Sequence, residues 1–110
     1  MTYQSEITRD LSHYIATAQD RQLPDDVVLC AKEHILDAFA AMVSASTLPV
    51  ARVLTALVQT EGGNSDSLFV GSSLFTTASL AALANGTLAH ADETDDFHPS
   101  SATHPGCSTI

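Results

Sequence analysis

The spacing of apolar residues predicts that the chain is built mainly from helices. In residues 5–19 the apolar positions recur every three or four residues, as on one face of a helix: Ile7, Leu11, Tyr14, Ile15 and Ala18. Pro24, followed by Asp25 and Asp26, has the composition of a helix start, so a second helix is predicted to run to about Ser44. The first helix is expected to pack against the rest of the protein through its single apolar stripe.

Two more helices are predicted after the second one. A third is predicted from Val50 to Glu61, and a fourth, capped by Thr76 or Thr77, from Ala78 to Ala91. The fourth helix is rich in alanine, and these small side chains let it pack closely against another helix. Its C-terminal end can then lie in a protein interior. The stripe of the second helix is wide and predicts burial on more than one side: Val28, Ala31, Ile35, Ala38, Phe39, Met42 and Val43.

One stretch, Ser67–Gly71, is predicted to be extended. It is too short to form a sheet alone and needs a partner strand or a place on the helices. The predicted fold class is therefore mainly α, with about four helices and one short extended segment, and residues 1–110 show no internal domain boundary.

Charge narrows the possible partners. The 110 residues carry 13 acidic side chains against 4 Lys and Arg, a formal charge of -9, which argues against binding nucleic acid or an anionic membrane surface. All four cations lie in the first half of the chain: Arg9, Arg21, Lys32 and Arg52.

Two cysteines, Cys30 and Cys107, form no disulfide framework or zinc motif, and the N-terminus resembles no export signal. A cytoplasmic location is the simplest interpretation.

The acidic and imidazole groups concentrate after the fourth predicted helix. Five of them fall between His90 and Asp96, and His98 and His104 follow, each directly before a proline. The negative end of the helix dipole faces these acids, at a cost of about 0.3–1 kcal/mol for each. Such a departure from local stability is expected mainly at functional sites.

Three interpretations of this cluster remain open on residue types alone. It is a solvated acidic helix end, a divalent metal site with oxygen and nitrogen ligands, or a centre for general acid–base chemistry. His104 is the best candidate base, because Pro105 and Gly106 restrict the chain and leave room for a ligand. His13 and His34 are placed on helices away from the cluster, Asp37 is interpreted as a solvated or locally bonded acid, and His90 as either a site residue or a helix-end residue that holds the loop.

The motifs resemble those of a known family. Asn85-Gly86-Thr87-Leu88-Ala89-His90, then Glu93-Thr94-Asp95-Asp96, then His104-Pro105-Gly106 is similar in order to the N-terminal signature of the MmgE/PrpD family. The resemblance spans about residues 7–107. It implies the N-terminal part of a helical domain that C-terminal helices complete after an inserted α+β lid, usually in a homodimer. It also implies lyase chemistry, either dehydration or decarboxylation, on small di- or tricarboxylic acids without a cofactor.

The resemblance also implies roles for individual residues. His104, Glu93 and Asp96 are predicted to be catalytic, whereas Asp95, His98 and Thr103 are predicted to bind substrate, and no metal ligand is predicted. Phe97 departs from the family pattern, in which a small hydroxyl residue often follows the acidic pair.

An anionic substrate beside so many acids needs cations, and none follows Arg52. We therefore expect the basic groups to come from residues beyond Ile110 or from another chain, because the sequence reads as truncated there, without a closing helix, turn or polar tail. On this hypothesis the 110 residues alone are inactive. The alternative is a helical binding or assembly module, or a degenerate fragment without catalysis.

Overall fold

The computed structural model describes the backbone of residues 2–110 and the side chains of residues 6–110. It confirms a mainly α architecture. Over this range the helices are α1 (Thr2–Thr17), α2 (Asp25–Ala45), α3 (Pro49–Glu61), α4 (Ala78–His90) and α5 (Gly106–Thr109). Two short strands, β1 (Ser67–Leu68) and β2 (Phe75–Thr76), lie between α3 and α4, and a 3-10 turn, Ala18–Asp20, follows α1.

The helices begin where the sequence signals are strongest. Pro24 is the N-cap of α2, with Asp25 and Asp26 in the first turn, where their charges favour the positive end of the helix. Pro49 occupies the first position of α3, where its missing N–H leaves no hydrogen bond unmade. The side chain of Thr77 caps α4 by accepting a hydrogen bond from the backbone N–H of Leu80. The predicted helix positions are therefore confirmed within one to three residues at each end.

Small residues bring α2 and α4 together. On α2 the buried side chains are Ala38, Ala41, Met42 and Ala45, and on α4 they are Ala81, Ala84, Leu88 and Ala89. Ala45 and Ala84 have no exposed surface at all. The predicted close approach of the alanine-rich helix is confirmed. Because α3 also contacts α4, residues of α3 and the strand region complete the core: Ala51, Leu54, Val58 and Phe69.

The prediction that α2 is buried on more than one side is wrong for this chain. Of its apolar stripe only Ala38 and Met42 are buried, whereas Ile35, Phe39 and Val43 are 43%, 46% and 54% exposed. The physical reason is that no described element covers the other face of the helix. The expectation that no helix follows the histidine loop is also wrong, since α5 forms there and packs on α2 and α4.

The first helix forms as predicted but does not bury its stripe. The apolar side chains of α1 are more than half exposed: Ile7, Leu11, Tyr14 and Ile15. The chain is consequently elongated, with extents of 45 × 30 × 27 Å. Its radius of gyration of 16.8 Å exceeds the roughly 13 Å expected for a compact chain of this length.

The extended stretch at Ser67 acquires a partner strand. Strand β1 pairs antiparallel with β2, with Ser67 opposite Thr76 and Leu68 opposite Phe75. The side chain of Asn85 on α4 fastens this hairpin to the helix. Its Oδ1 accepts a hydrogen bond from Val70 N at 2.9 Å, and its Nδ2 donates to Leu68 O at 3.0 Å. One amide thus satisfies both a donor and an acceptor of the loop backbone.

Within residues 2–110 no single helix combines the length and hydropathy required to cross a membrane. The consecutive helices α2 and α3 would meet that test only as a pair bent by 91°.

Replacing Asn85 should destabilise the fold. Asn85→Ala leaves the N–H of Val70 and the carbonyl of Leu68 without their partner, and we expect the free energy of unfolding to fall by about 1–3 kcal/mol. Urea denaturation followed by circular dichroism measures this change. Asn64→Ala is the matched control, because Asn64 is exposed, and should stay within about 0.5 kcal/mol of the wild type. Equal losses in the two variants would contradict the bridging role.

Candidate functional site

The candidate site is built on the loop that joins α4 to α5. Helix α4 ends at His90, and residues 91–105 run past the helix end before Gly106 begins α5. The loop contains two residues other than glycine with positive φ, Glu93 at 49° and Ala102 at 51°. Residues other than glycine in this left-handed region cost about 1–3 kcal/mol each, and such strain concentrates at functional sites. The acids therefore lie in a loop and not on a continued helix, as their mutual repulsion predicts.

Asp95 lies at the centre of this loop. Its side chain is only 2% exposed. His90 Nδ1 lies 3.3 Å from Oδ1 and 3.2 Å from Oδ2 of Asp95, and His104 Nδ1 lies 3.2 Å from Oδ1. The two imidazole rings meet edge to face, with 4.7 Å between their centroids. One buried carboxylate is thus shared by two histidines that are 14 positions apart in the sequence.

Asp96 holds the start of α5. Its Oδ1 accepts a hydrogen bond of 2.8 Å from the backbone N–H of Gly106. A Cβ atom at position 106 would lie only 2.5 Å from that same oxygen, so a larger residue there would displace the Asp96 carboxylate from this contact. The Asp96 carboxylate therefore fixes the turn that carries His104 and Pro105.

The predicted substrate-binding residues His98 and Thr103 face each other across a small turn. The backbone N–H of His98 donates to the carbonyl of Thr103 at 2.9 Å. Ser101 links their side chains, since its Oγ lies 2.8 Å from His98 Nδ1 and 2.8 Å from Thr103 Oγ1. All three residues are exposed, so the turn is available to a ligand.

Glu93 is the predicted site residue that the structure leaves apart. Its side chain is exposed, and among the described residues it makes no hydrogen bond or ion pair with the cluster. Its backbone N–H closes the end of α4 by donating to the carbonyl of His90 at 3.2 Å. Its catalytic role remains a prediction, and its position here is that of a turn residue.

A cleft of about 630 Å³ opens beside the loop, and α2 forms its other wall. The loop contributes polar and apolar groups, and α2 contributes three polar residues: Asp96, Phe97, His98 and Pro105 from the loop, with Glu33, His34 and Asp37 from α2. The placement of His34 away from the cluster is therefore wrong, and Asp37 faces the same cleft. A signal existed in the sequence, because positions 33, 34 and 37 share one face of a helix, on the side away from the apolar stripe.

Cys107 lies close to His90 and Asp95. It lines a second, largely apolar cleft of about 590 Å³ together with His90 and α4. Partial burial raises the pKa of its thiol, and the negative charges of Asp95 and Asp96 raise it further. Cys107 Sγ, a ring nitrogen of His90 and a carboxylate oxygen of Asp95 lie within 4.8 Å of one another, so this group offers sulfur, nitrogen and oxygen donors of the kind that zinc takes.

Comparison with known families places the sequence in one of them. The family model of the MmgE/PrpD N-terminal domain matches residues 9–110. The chain belongs to the MmgE/PrpD family. Comparisons with curated proteins and with solved structures gave no match.

The residues that resemble the MmgE/PrpD signature fall into two groups in this structure. Asn85, the first residue of the signature, binds the β1 loop and not the site. The later residues, Asp95, Asp96, His104 and Gly106, are brought into one cluster by the turn before α5. The motifs that resemble the family signature therefore include both a scaffold residue and a group of titratable residues.

The raised pKa of Cys107 predicts slow alkylation. Near pH 8.5, about the ordinary thiol value, iodoacetamide should modify Cys107 several-fold more slowly than the exposed Cys30, because less thiolate is present. The rate at Cys107 should rise only at higher pH. Peptide mass spectrometry measures both rates in one sample.

Removing a nearby charge tests the cause of that shift. Asp96→Asn keeps an acceptor for Gly106 N but removes one negative charge, so alkylation of Cys107 should become faster. Asp92→Asn is the control, since Asp92 is not among the causes of the shift. A Cys107 that reacts as fast as Cys30 in the wild type would refute the raised pKa.

Proposed function

We propose that this chain supplies the acidic and imidazole part of the active site of a lyase that acts on small di- or tricarboxylic acids. The reaction is a dehydration or a decarboxylation by general acid–base chemistry, without a cofactor. The observation that carries the proposal is the contact of His104 with the buried carboxylate of Asp95, beside a cleft lined by further carboxylates and imidazoles. Membership of the MmgE/PrpD family supports the same reaction class.

His104 is the proton carrier in this proposal. Its Nδ1 atom is buried, whereas a quarter of its side chain, 25%, is exposed, so the accessible part of the ring lies away from Asp95 and includes Nε2. An imidazole held in this way can take a proton from carbon or deliver one to a leaving hydroxyl. Glu93 and Asp96 are proposed to exchange protons or to bond substrate hydroxyls, and His98 and Thr103 to contact the substrate.

The charge of the cleft requires help from other residues. Glu33, Asp37 and Asp96 line it, and neither lysine nor arginine is among the described lining residues. Each substrate carboxylate placed about 4 Å from one of these acids meets a repulsion of about 1–4 kcal/mol, depending on how dry the cleft is. We therefore propose that basic side chains from further parts of the complete protein, or from a second copy in a homodimer, bind the substrate carboxylates.

One observation favours a second candidate function, a helical assembly module. The apolar side chains of α1 are 53–61% exposed: Ile7, Leu11, Tyr14 and Ile15. Exposed apolar patches of this kind mark interaction surfaces. The lyase proposal also needs such a surface, because the site is completed by other residues.

Catalysis should appear only when the site is completed. We expect the 110-residue chain alone to leave 2-methylcitrate and cis-aconitate unchanged. Co-expression with the remaining helices and the lid of an MmgE/PrpD dehydratase should give activity. His104→Gln should then lower the rate by about 10²–10⁴-fold, and His13→Gln, on an exposed part of α1, should not. The assay follows product formation by chromatography. An ordinary enzymatic rate from the chain alone, or from His104→Gln, would contradict the proposal.

The exposed stripe of α1 should make the chain self-associate and bind a hydrophobic dye. We expect analytical ultracentrifugation to show association that grows with concentration, and Leu11→Gln with Ile15→Gln to weaken both association and dye fluorescence. Val53→Gln is the control, because Val53 is 68% exposed but lies on α3. A monodisperse wild type without dye binding would contradict a role for this stripe as an interaction surface.

A further inference from the structure

The Asp95 carboxylate has an unusual position between two imidazoles. Its side chain is 2% exposed, compared with 47% for His90 and 25% for His104. A residue so placed is better suited to act on the histidines than on a ligand, in contrast to the substrate-binding role predicted for it from the family resemblance.

The direction of the hydrogen bonds follows from the chemistry of the groups. An ionised carboxylate only accepts hydrogen bonds, so a ring nitrogen that faces it must carry the proton. Both His90 and His104 face Asp95 with Nδ1. The hydrogen bond made by one nitrogen decides which tautomer a neutral histidine adopts. Asp95 therefore selects the Nδ1–H form of both rings and leaves both Nε2 atoms free to accept a proton.

The contact with His104 is close but not yet well directed. Its Nδ1 lies 3.2 Å from Asp95 Oδ1, yet the atom is buried and makes no aligned hydrogen bond within the described part of the chain. A buried donor without a partner costs about 1–3 kcal/mol, which a small rotation of the ring towards Asp95 would recover. Hydrogen bonds at catalytic sites are often poorly aligned without ligand and tighten when the site is complete.

We propose that Asp95 is a positioning residue that holds His90 and His104 in the Nδ1–H tautomer and so keeps their Nε2 atoms free to accept a proton. His90 lines the apolar cleft. His104 packs against Phe97, which lines the polar cleft, with 5.2 Å between the ring centroids. The catalytic meaning of this arrangement rests on the proposed function. The assignment of the tautomers does not rest on the proposed function, and the tautomers can be observed in the 110-residue chain alone.

Nitrogen-15 NMR measures the tautomers directly. The 110-residue chain is labelled at the histidine nitrogens and kept with a chelator at a pH well above the ordinary histidine pKa of about 6.5. Long-range proton–nitrogen correlations then distinguish a protonated Nδ1 from a protonated Nε2. His90→Asn and His104→Asn assign the signals by their loss. We expect both rings to be protonated at Nδ1, although free histidine prefers Nε2–H.

Two substitutions separate the effect of Asp95 from that of general charge. Asp95→Ala should return His90 and His104 towards the Nε2–H form, with the signals of His13 and His34 as internal references for a folded chain. Asp92→Asn removes a nearby exposed charge and should leave both tautomers unchanged.

The wild-type measurement alone can overturn the inference, so it does not depend on whether Asp95→Ala folds. Protonation of His104 at Nε2 in the wild type, or tautomers that stay the same in folded Asp95→Ala, would refute it. Failure of the lyase assay with the expected tautomers would refute the proposed function and leave this inference standing.

In the completed enzyme Asp95→Asn should lower kcat by about 10²-fold or more with KM little changed, whereas a direct substrate contact would raise KM.

Discussion

Contact between alanines on α2 and α4 is the constraint on which the rest of this structure depends. Ala45 and Ala84 have no exposed surface, and this close packing leaves no space for a larger side chain. Because α4 lies so near α2, the loop that follows His90 lies beside the polar face of α2. The cleft, with Asp96 on one wall and Asp37 on the other, is a consequence of that packing.

The second constraint is electrostatic. Burying a carboxylate is unfavourable unless other groups form hydrogen bonds or ion pairs with it. Among the described residues, the groups that face Asp95 are two imidazoles and not a lysine or arginine, while the rim of the site is acidic. An acidic rim repels anionic substrates of the kind that the proposed reaction requires. The exposed apolar stripes of α1 and α2 are consistent with a surface that other residues cover.

Periodicity and capping were sufficient to predict most of the fold. The starts at Pro24, Pro49 and Thr77 depend on local chemistry, so they could be predicted within a few residues. Burial could not, because it depends on which neighbour is present. Ile35 and Phe39 have the spacing of a core helix and remain more than 40% exposed. The helix α5 was missed because its start depends on the bond between Asp96 and Gly106, a contact across 10 positions.

For the site, the sequence by itself determined which groups are concentrated after α4, that the acids must leave the helix, and which family the motifs resemble. These properties follow from residue types and their order, which do not change on folding. Only the tertiary structure decided that Asp95 lies inside and Glu93 outside, that His34 and Asp37 face the cleft, and that Asn85 serves the scaffold. The reason is that burial, hydrogen-bond partners and distances between side chains arise from packing between elements that are far apart along the chain.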